Sequence, residues 1–462
     1  MSVGAVVLAA GRGTRFRSGT AKVLHQVCGR SLSRWVLEAL RPLGLDPVVV
    51  VVGYQADEVR AEAFAAGLPG LVCVTQAEQR GTGHALRQAF ASGVLGGVES
   101  VLVVPGDTPM LTSEVVASLV GGHRGAVSVL TTVLEDPSGY GRIVRDASGE
   151  VVGIVEHRDA SQSQLAICEV NTSMYVFDRA LVEVELGRLG SGNDQGEEYL
   201  TDVVAPLARK GVTAAQAPAG IVAGVNDRVE LSAAGALLRA RLLDRLMRAG
   251  VTVVDPATTY VGADVRIGVD TVLLPGTHLE GATTIGSGAQ VGPDTRLVDT
   301  TVGDGAILTY SVVIGSWVGQ GVNVGPFASL RPGTRLEAMS KAGTFVEMKN
   351  SRVGEGSKVP HLSYIGDTTI GKGSNIGAAT VTVNYDGFTK HRTVIGDGVK
   401  IGSDTMLVAP ILIGDGAYTG AGSVITEDVP DGALAVERGE QRIVHGYADR
   451  KRAQATRAAE ER

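Results

Sequence analysis

The sequence predicts an α/β chain in two parts: an open sheet of parallel strands, then, past one connecting helix, a parallel β-helix. Three observations predict it. From Val3 to about Gly220, short apolar runs alternate with helix-like segments. From about Asp227 to Arg248, leucines recur at i+4 with no proline. Beyond Val261 the period becomes six and persists to Ile425.

In the first part, Val6–Ala9, Val48–Val52 and Val101–Val104 are short, continuous and mostly branched. That is the pattern of parallel strands buried on both faces. Leu32–Leu43 and Gly83–Ala91 read as helices between them, which makes a βαβ pattern. In the connecting helix, Leu238, Leu242 and Leu246 form one stripe, while Arg239, Arg241 and Arg245 fill the rest.

In the last part, Ile267-Gly, Leu273, Leu279, Ile285-Gly, Val291-Gly and Leu297 mark one register. It resumes through Ile314-Gly, Val324-Gly, Val353-Gly, Ile365-Gly and Ile376-Gly, and ends with Ile395-Gly, Ile401-Gly, Leu407 and Ile413-Gly. A period of six fits neither a helix nor a simple strand. It fits a parallel β-helix, with one aliphatic per face turned inward and three faces closing each coil. Between Thr382 and Ile395 the spacing stretches to thirteen. Residues Asn384 to Lys390 must therefore leave the coil as a loop, and loops carry function. The expected domains are 1–228, a linker helix at 229–249, and 250–462.

Composition narrows the function. The chain has 462 residues, 44% hydrophobic, with 63 glycines and a formal charge of −7. The glycine share is about twice the average, which fits many tight turns. The acidic balance gives no electrostatic reason to bind nucleic acid, so small molecules are the expected partners. Cys28, Cys73 and Cys168 match no zinc spacing and no disulfide framework. They are expected to be buried thiols in a reducing compartment. No apolar run nears ~18 residues, so no membrane span is expected and the location is read as cytoplasmic.

Several motifs carry chemistry. Val7-Leu-Ala-Ala-Gly-Arg-Gly-Thr-Arg15 is a strand entering a turn whose Gly11 and Gly13 allow backbone N–H groups close to a phosphate or base. It is not a dinucleotide fingerprint, because Phe16 stands where glycine is needed, nor a P-loop, because Lys22 follows Ala21. Val103-Val-Pro-Gly-Asp107 is a buried strand ending in a carboxylate, at the edge where open α/β sheets place ligands. In the β-helix, His361 sits between aliphatic anchors, and a histidine suits proton transfer near neutrality. Each residue alone has a plainer reading. Asp107 could cap a helix, Lys22, Glu156, Arg331 and Lys349 could be solvated charges, and His361 could be structural.

Taken in order, the motifs resemble known ones. Leu8-Ala-Ala-Gly-x-Gly-Thr-Arg15 with Lys22 looks like the sugar nucleotidyltransferase signature, and Gln76-Ala-Glu-Gln-Arg-Gly81-Thr82-Gly-His-Ala resembles the base-binding segment of uridylyl enzymes. Gly139-Tyr-Gly141-Arg, Gly153-Ile-Val-Glu156-His, Glu169-Val-Asn171-Thr and Gly224-Val-Asn226 continue the match. The six-residue register resembles the left-handed β-helix of hexapeptide transferases. Leu330-Arg331-Pro-Gly, Phe345-Val-Glu347-Met-Lys349-Asn, His361-Leu-x-Tyr364, Asn375-Ile-Gly-Ala378 and Asn384-Tyr385-Asp-Gly resemble an acetyltransferase site. Over nearly its whole length the chain is similar to the family of bifunctional N-acetylglucosamine-1-phosphate uridylyltransferase/glucosamine-1-phosphate N-acetyltransferases.

The resemblance implies a Rossmann-like nucleotidyltransferase domain, the connecting helix and a left-handed β-helix. It implies acetyl transfer from acetyl-CoA to glucosamine 1-phosphate, then uridylyl transfer from UTP to N-acetylglucosamine 1-phosphate, releasing pyrophosphate. Asp107 and Asn226 are the implied Mg²⁺ ligands, and Arg15 and Lys22 neutralise the phosphates. Leu8, Ala9, Ala10 and Gly11 line the nucleotide with Pro105 and Gly106. Gln76, Gly81 and Thr82 read uracil, while Gly141, Glu156 and Asn171 hold the sugar. In the second head His361 is the base, with Glu347 orienting it. Arg331, Lys349, Tyr364 and Asn375 bind glucosamine 1-phosphate. Ala378, Asn384, Tyr385, Ser403, Ala421 and Arg438 bind acetyl-CoA, with Asn384, Tyr385 and Lys390 reaching a neighbouring subunit of a homotrimer.

Some positions depart from the family pattern: Ala21 for proline, Ser173 and Ala379 for glycine, Pro360 for glycine and Thr344 for asparagine. A bulkier residue than Pro105 is also frequent before Gly106. Two other readings stay open at this point. One keeps a single transferase with the β-helix as a regulatory module, and the other is a binding protein on an inactive nucleotide fold.

Overall fold

The structure is a computed structural model that describes residues 2–193 and 195–460. It divides into two compact units, residues 1–244 with 261–263, and residues 245–260 with 264–462.

The first unit is built on a nine-stranded sheet. Its strands are β1 (Val3–Ala9), β2 (Val48–Val52), β3 (Leu71–Thr75), β4 (Ser100–Pro105), β5 (Val127–Val133), β6 (Arg142–Arg145), β7 (Val151–Val155), β8 (Glu169–Asp178) and β9 (Val212–Gln216). The order is β9-β5-β8-β4-β1-β2-β3, with the β6–β7 hairpin joined to β8. Side chains of β1 and β2 alternate between two cores. Ala5, Val7, Ala9, Val48, Val50 and Val52 enter one, and Val6, Val49 and Val51 enter the other. This burial on both faces is what the continuous valine run requires.

The sheet is not parallel throughout, as the apolar runs alone suggest. β8 runs antiparallel to both β4 and β5. A parallel return needs a crossover of a dozen or more residues, usually a helix. The chain between β5 and β8 instead folds into the β6–β7 hairpin and a four-residue helix, Gln162–Leu165. The parallel strands β1, β2 and β4 end together at Ala9, Val52 and Pro105, and the loops that follow them frame one edge.

The predicted connecting helix is Arg228–Arg248, and Leu238, Leu242 and Leu246 are buried. The second unit is a prism of three parallel sheets with eleven, ten and nine short strands. Leu279, Leu297, Val313, Leu330, Met348 and Ile365 pair in one inward column, and none is more than 1% exposed. Buried threonines and serines close the corners. Thr277 Oγ1, for example, donates to the Leu274 carbonyl at 2.7 Å, meeting a backbone acceptor that a tight corner strands. The expected loop leaves the coil between strands Val381–Val383 and Thr393–Ile395. The C-terminal helix Tyr447–Glu460 is exposed along its length.

The cysteines differ from expectation. All three are free, but Cys28 and Cys73 are only half-buried and Cys168 is exposed. Cys73 lies on β3, the last strand of the sheet, where one side lacks a neighbour. Cys168 lies in the turn that leads into β8. No helix among the described residues is long and apolar enough to cross a membrane.

Candidate active sites

At the edge formed by β1 and β4, the first unit encloses a cavity of about 590 Å³. Leu8, Ala9, Ala10, Gly11 and Arg15 come from β1 and its turn, and Lys22 from the next short turn. Gln76, Gly81 and Thr82 come from the segment after β3, and Pro105 and Asp107 from the end of β4. Gly141, Glu156, Asn171 and Asn226 complete the wall. Gly106 lies between Pro105 and Asp107, and its N–H donates to the Leu8 carbonyl at 2.9 Å.

The polar floor is organised by charge. Lys22 Nζ forms an ion pair with Asp107 Oδ2. It also donates to Asn226 Oδ1 at 2.9 Å, and Arg15 donates to the same oxygen at 2.8 Å. Two oxygens from distant segments therefore face two cations. Asp107 does not cap a helix. The next helix begins at Ser113, and its cap is Thr112. Gly13 holds Lys22 in place. It has φ of +70°, and an added Cβ would fall 2.5 Å from Lys22 Cβ.

Glu156 is half-buried and accepts from Thr201 Oγ1 at 3.0 Å. Burial pushes its carboxyl up, the Thr201 hydrogen bond acts the other way, and Asp202 and Asp159 push it further up. Asn171 stands beside a register shift between β8 and β5. Its amide donates to Tyr175 Oη at 2.7 Å and accepts from Ser173 N at 3.1 Å. Ser173 adopts φ of +61°, the left-handed conformation that suits glycine.

Several wall residues escaped the sequence reading. Gln79 lines the cavity and donates to the Ala10 carbonyl at 3.0 Å, tying the base-side segment to the first turn. Glu197 also lines the cavity. The buried neighbour Glu198 binds Arg80 and Arg87 and accepts from Gly83 N at 2.8 Å. The signal lay in Gly81 and Gly83, whose missing side chains let this distant segment approach.

In the second unit, equivalent corner positions of successive coils carry Thr344, His361, Ala378, Ser403 and Ala421. The ladder shows this directly. Thr344 pairs with His361, and Ala379 N, Asp404 N and Gly422 N donate to the carbonyls of His361, Ala378 and Ser403. The His361 side chain is exposed. On the adjoining sheet Glu347 pairs with Tyr364, and Lys349 with Gly366. Arg331 N donates to Met348 O, which places Arg331 next to Lys349 across the ladder.

Arg331, Lys349 and Lys390 gather there. Lys390 beside it, with Arg331, holds the Lys349 ammonium below the ordinary lysine range, against the pull of Asp367. The Glu347 carboxylate is paired with Arg331 at 2.9 Å. Asn384 is buried and donates to Asp367 Oδ2 at 2.6 Å, so it is anchored within its own chain. Tyr385 Oη donates to the Gly387 carbonyl at 2.6 Å. Asn375 lies between Lys358 and Lys400 in the ladder. Arg438 donates to the Ala421 carbonyl at 3.2 Å, at the top of the corner column. A second cavity, about 390 Å³, lies among Glu337, Arg352, Glu355, Lys372 and Asp397 and contains none of the predicted residues.

The first unit thus has the sheet and charged edge of a nucleotidyltransferase, and the second the coil of a hexapeptide transferase. Residues 5–165 match the MobA-like NTP transferase domain family, and residues 392–427 match the bacterial transferase hexapeptide family of six repeats. The chain is 53% identical to the bifunctional protein GlmU of Streptomyces avermitilis, across 98% of this chain and 96% of that one. It is 54% identical to the protein of the same name from Thermobifida fusca, across 97% and 94%. The figure is 50% for that of Mycolicibacterium vanbaalenii, across 97% and 93%. The chain belongs to the bifunctional GlmU family. It is a bifunctional transferase, a nucleotidyltransferase joined to an acetyltransferase on a left-handed parallel β-helix, and it serves the synthesis of UDP-N-acetylglucosamine.

Proposed function

We propose that the two transfers are divided between the two sites described above, the cavity taking uridylyl transfer and the coil corner taking acetyl transfer. The supporting observation is the convergence of segments from Leu8 to Asn226 on one cavity of about 590 Å³. A phosphate oxygen of N-acetylglucosamine 1-phosphate attacks the α-phosphorus of UTP, and pyrophosphate departs. Catalysis of this kind is mostly alignment and charge neutralisation. Arg15 and Lys22 supply positive charge at the phosphates. Gln76, Gly81 and Thr82 hold the uracil, and Gly141, Glu156 and Asn171 hold the sugar.

Asp107 and Asn226 fit Mg²⁺. Both offer hard oxygens, which this ion prefers, and cationic groups already lie against both. Two protein oxygens suffice, since Mg²⁺ keeps waters and takes phosphate oxygens as its other ligands. When bound, it screens and aligns the triphosphate. Lys22 then exchanges its contacts with Asp107 and Asn226 for the phosphate.

At the coil corner, His361 accepts the amine proton of glucosamine 1-phosphate as the nitrogen attacks the acetyl carbonyl. The C–S bond then breaks, and coenzyme A leaves as the thiol with the proton returned from His361. Arg331, Lys349 and Lys390 bind the phosphate. The depressed Lys349 supports this, because like charges so crowded call for an anion. Tyr364 and Asn375 hold the sugar, and the Ala378 N–H steadies the developing oxyanion. Ser403, Ala421 and Arg438 continue the same corner upward as a path for coenzyme A, with Asn384 and Tyr385 beside it.

The chain acts as a cytoplasmic homotrimer divided at 1–228, 229–249 and 250–462. Support for assembly comes from an exposed ladder on the same corner, where Phe327 stacks on Phe345 at 5.3 Å beside Tyr310. Apolar rings displayed together in this way favour a partner surface. Light scattering on the purified chain measures the mass.

Two substitutions test the division of labour. With UTP, N-acetylglucosamine 1-phosphate and Mg²⁺, Asp107→Asn is expected to abolish pyrophosphate release and leave acetylation intact. With acetyl-CoA and glucosamine 1-phosphate, His361→Ala is expected to slow thiol release about 10²–10⁴-fold and leave uridylylation intact. Undiminished acetylation in His361→Ala would leave the β-helix without its proposed base.

A further inference from the structure

The proposed base-reading residue, Gln76, is itself held by an interaction that bears on which base is accepted. Gln76 and His84 are buried, at 4% and 8% exposure. Gln76 Nε2 donates to the Gly81 carbonyl at 3.1 Å and lies 3.0 Å from His84 Nδ1. A carbonyl oxygen only accepts, so the amide atom facing Gly81 is the nitrogen. Its second proton points at His84 Nδ1, which must then offer a lone pair. In that tautomer the ring proton sits on Nε2. The Gln88 amide lies 3.1 Å from Nε2, and a half-turn about its last bond presents its oxygen as the acceptor. Gln76 Oε1 is left without a protein partner among the described residues, and Gln76 lines the cavity.

We infer that His84 is a positioning residue for base selection. Its Nδ1 lone pair, together with the Gly81 carbonyl, locks the Gln76 amide with Oε1 presented as an acceptor to the base. Uracil offers a donor, N3–H, between its two carbonyls. Cytosine offers a bare N3 there, and acceptor faces acceptor. The inference rests on the reading that Gln76 contacts the base. Without His84 only the Gly81 carbonyl still holds the amide, so it turns more readily to present its NH₂ group to the base, which favours cytosine. One reversed hydrogen bond of this kind changes discrimination about tenfold to a hundredfold.

The test uses the full chain and pyrophosphate release, with UTP and CTP each titrated to give kcat/KM. His84→Phe is expected to lower the UTP-over-CTP ratio about tenfold or more, through KM and with kcat for UTP nearly unchanged. His84→Asn is expected to restore most of it, because Asn Oδ1 stands where Nδ1 stood. A merely structural role lowers the melting temperature and the active fraction without moving this ratio. An unchanged ratio in His84→Phe overturns the inference, and so does His84→Asn behaving like His84→Phe. Gln76→Leu separates the two layers. If it keeps the wild-type ratio, the base-contact reading fails, and if it alone loses discrimination, only the role of His84 fails. Should His84→Phe not fold, nitrogen-15 NMR of histidine-labelled wild-type protein decides. A proton on Nε2 of His84 is expected, and a proton on Nδ1 overturns the inference.

Discussion

Gly81 joins two constraints at one Cα. Its φ is +106°, and an added Cβ would fall 2.5 Å from the Glu198 carbonyl oxygen. That backbone cannot yield easily, because Glu198 N donates to Arg80 O and Glu198 O accepts from Gly83 N. Gly81→Ala is therefore expected to raise KM for UTP and to lower stability by about 1–3 kcal/mol, as urea unfolding and initial rates would show. Ala379 presents the opposite case. It adopts φ of +59° and sits in the turn beside His361. A side chain in this region costs roughly 1–2 kcal/mol, and glycine avoids it. Ala379→Gly should thus raise the melting temperature, and a fall would show that its methyl packs usefully. At this scale the sequence announced charges and glycines well, because their chemistry is intrinsic. Lys22, Asp107 and Asn226 were legible one by one. The contacts Lys22 makes with both partners were not, since they join positions 85 and 204 residues apart, a separation no local pattern encodes.

Whole elements follow the same division between what a period encodes and what topology adds. The six-residue register specified the inward column of the prism, because every aliphatic must find a core. Shortening one should leave a cavity, so Leu297→Ala is expected to cost about 2–5 kcal/mol, measurable by denaturant unfolding. The reversal of β8 had no period of its own, as a buried strand reads the same in either direction. The loop beyond Val383 was visible as a lengthened spacing, yet its anchor was not. Asp367 is that anchor, accepting from Asn350 and Asn384 at 2.6 Å each. Burial pushes its carboxyl up, but these two hydrogen bonds and the charges of Lys390 and Lys349 outweigh it and hold it below the usual range. A depressed carboxyl stabilises the fold above its unfolded value, near pH 4, and loses that contribution as pH falls through the folded value. Asp367→Ala is expected to cost about 1–3 kcal/mol at pH 7, and the gap from wild type should narrow below about pH 4. A gap independent of pH would assign the loss to packing.

At the scale of the whole molecule, the two sets of candidate site residues belong to separate compact units of the chain. The cavity draws only on residues 8–230. The coil column and its cationic face draw only on residues 331–438. Nothing in either set of contacts requires the other reaction to be running. N-acetylglucosamine 1-phosphate, the product of one head and substrate of the other, should accordingly pass through solution. Equal amounts of Asp107→Asn and His361→Ala chains, purified separately and then mixed, are expected to make UDP-N-acetylglucosamine from glucosamine 1-phosphate, acetyl-CoA and UTP. Each variant alone should make almost none. The mixture should show a lag while the shared intermediate accumulates, and the lag should shorten when N-acetylglucosamine 1-phosphate is added at the start. An excess of wholly unrelated phosphosugar should leave it unchanged. Failure of the mixture, with each remaining head fully active when assayed alone, would mean that the intermediate is handed over inside one assembly.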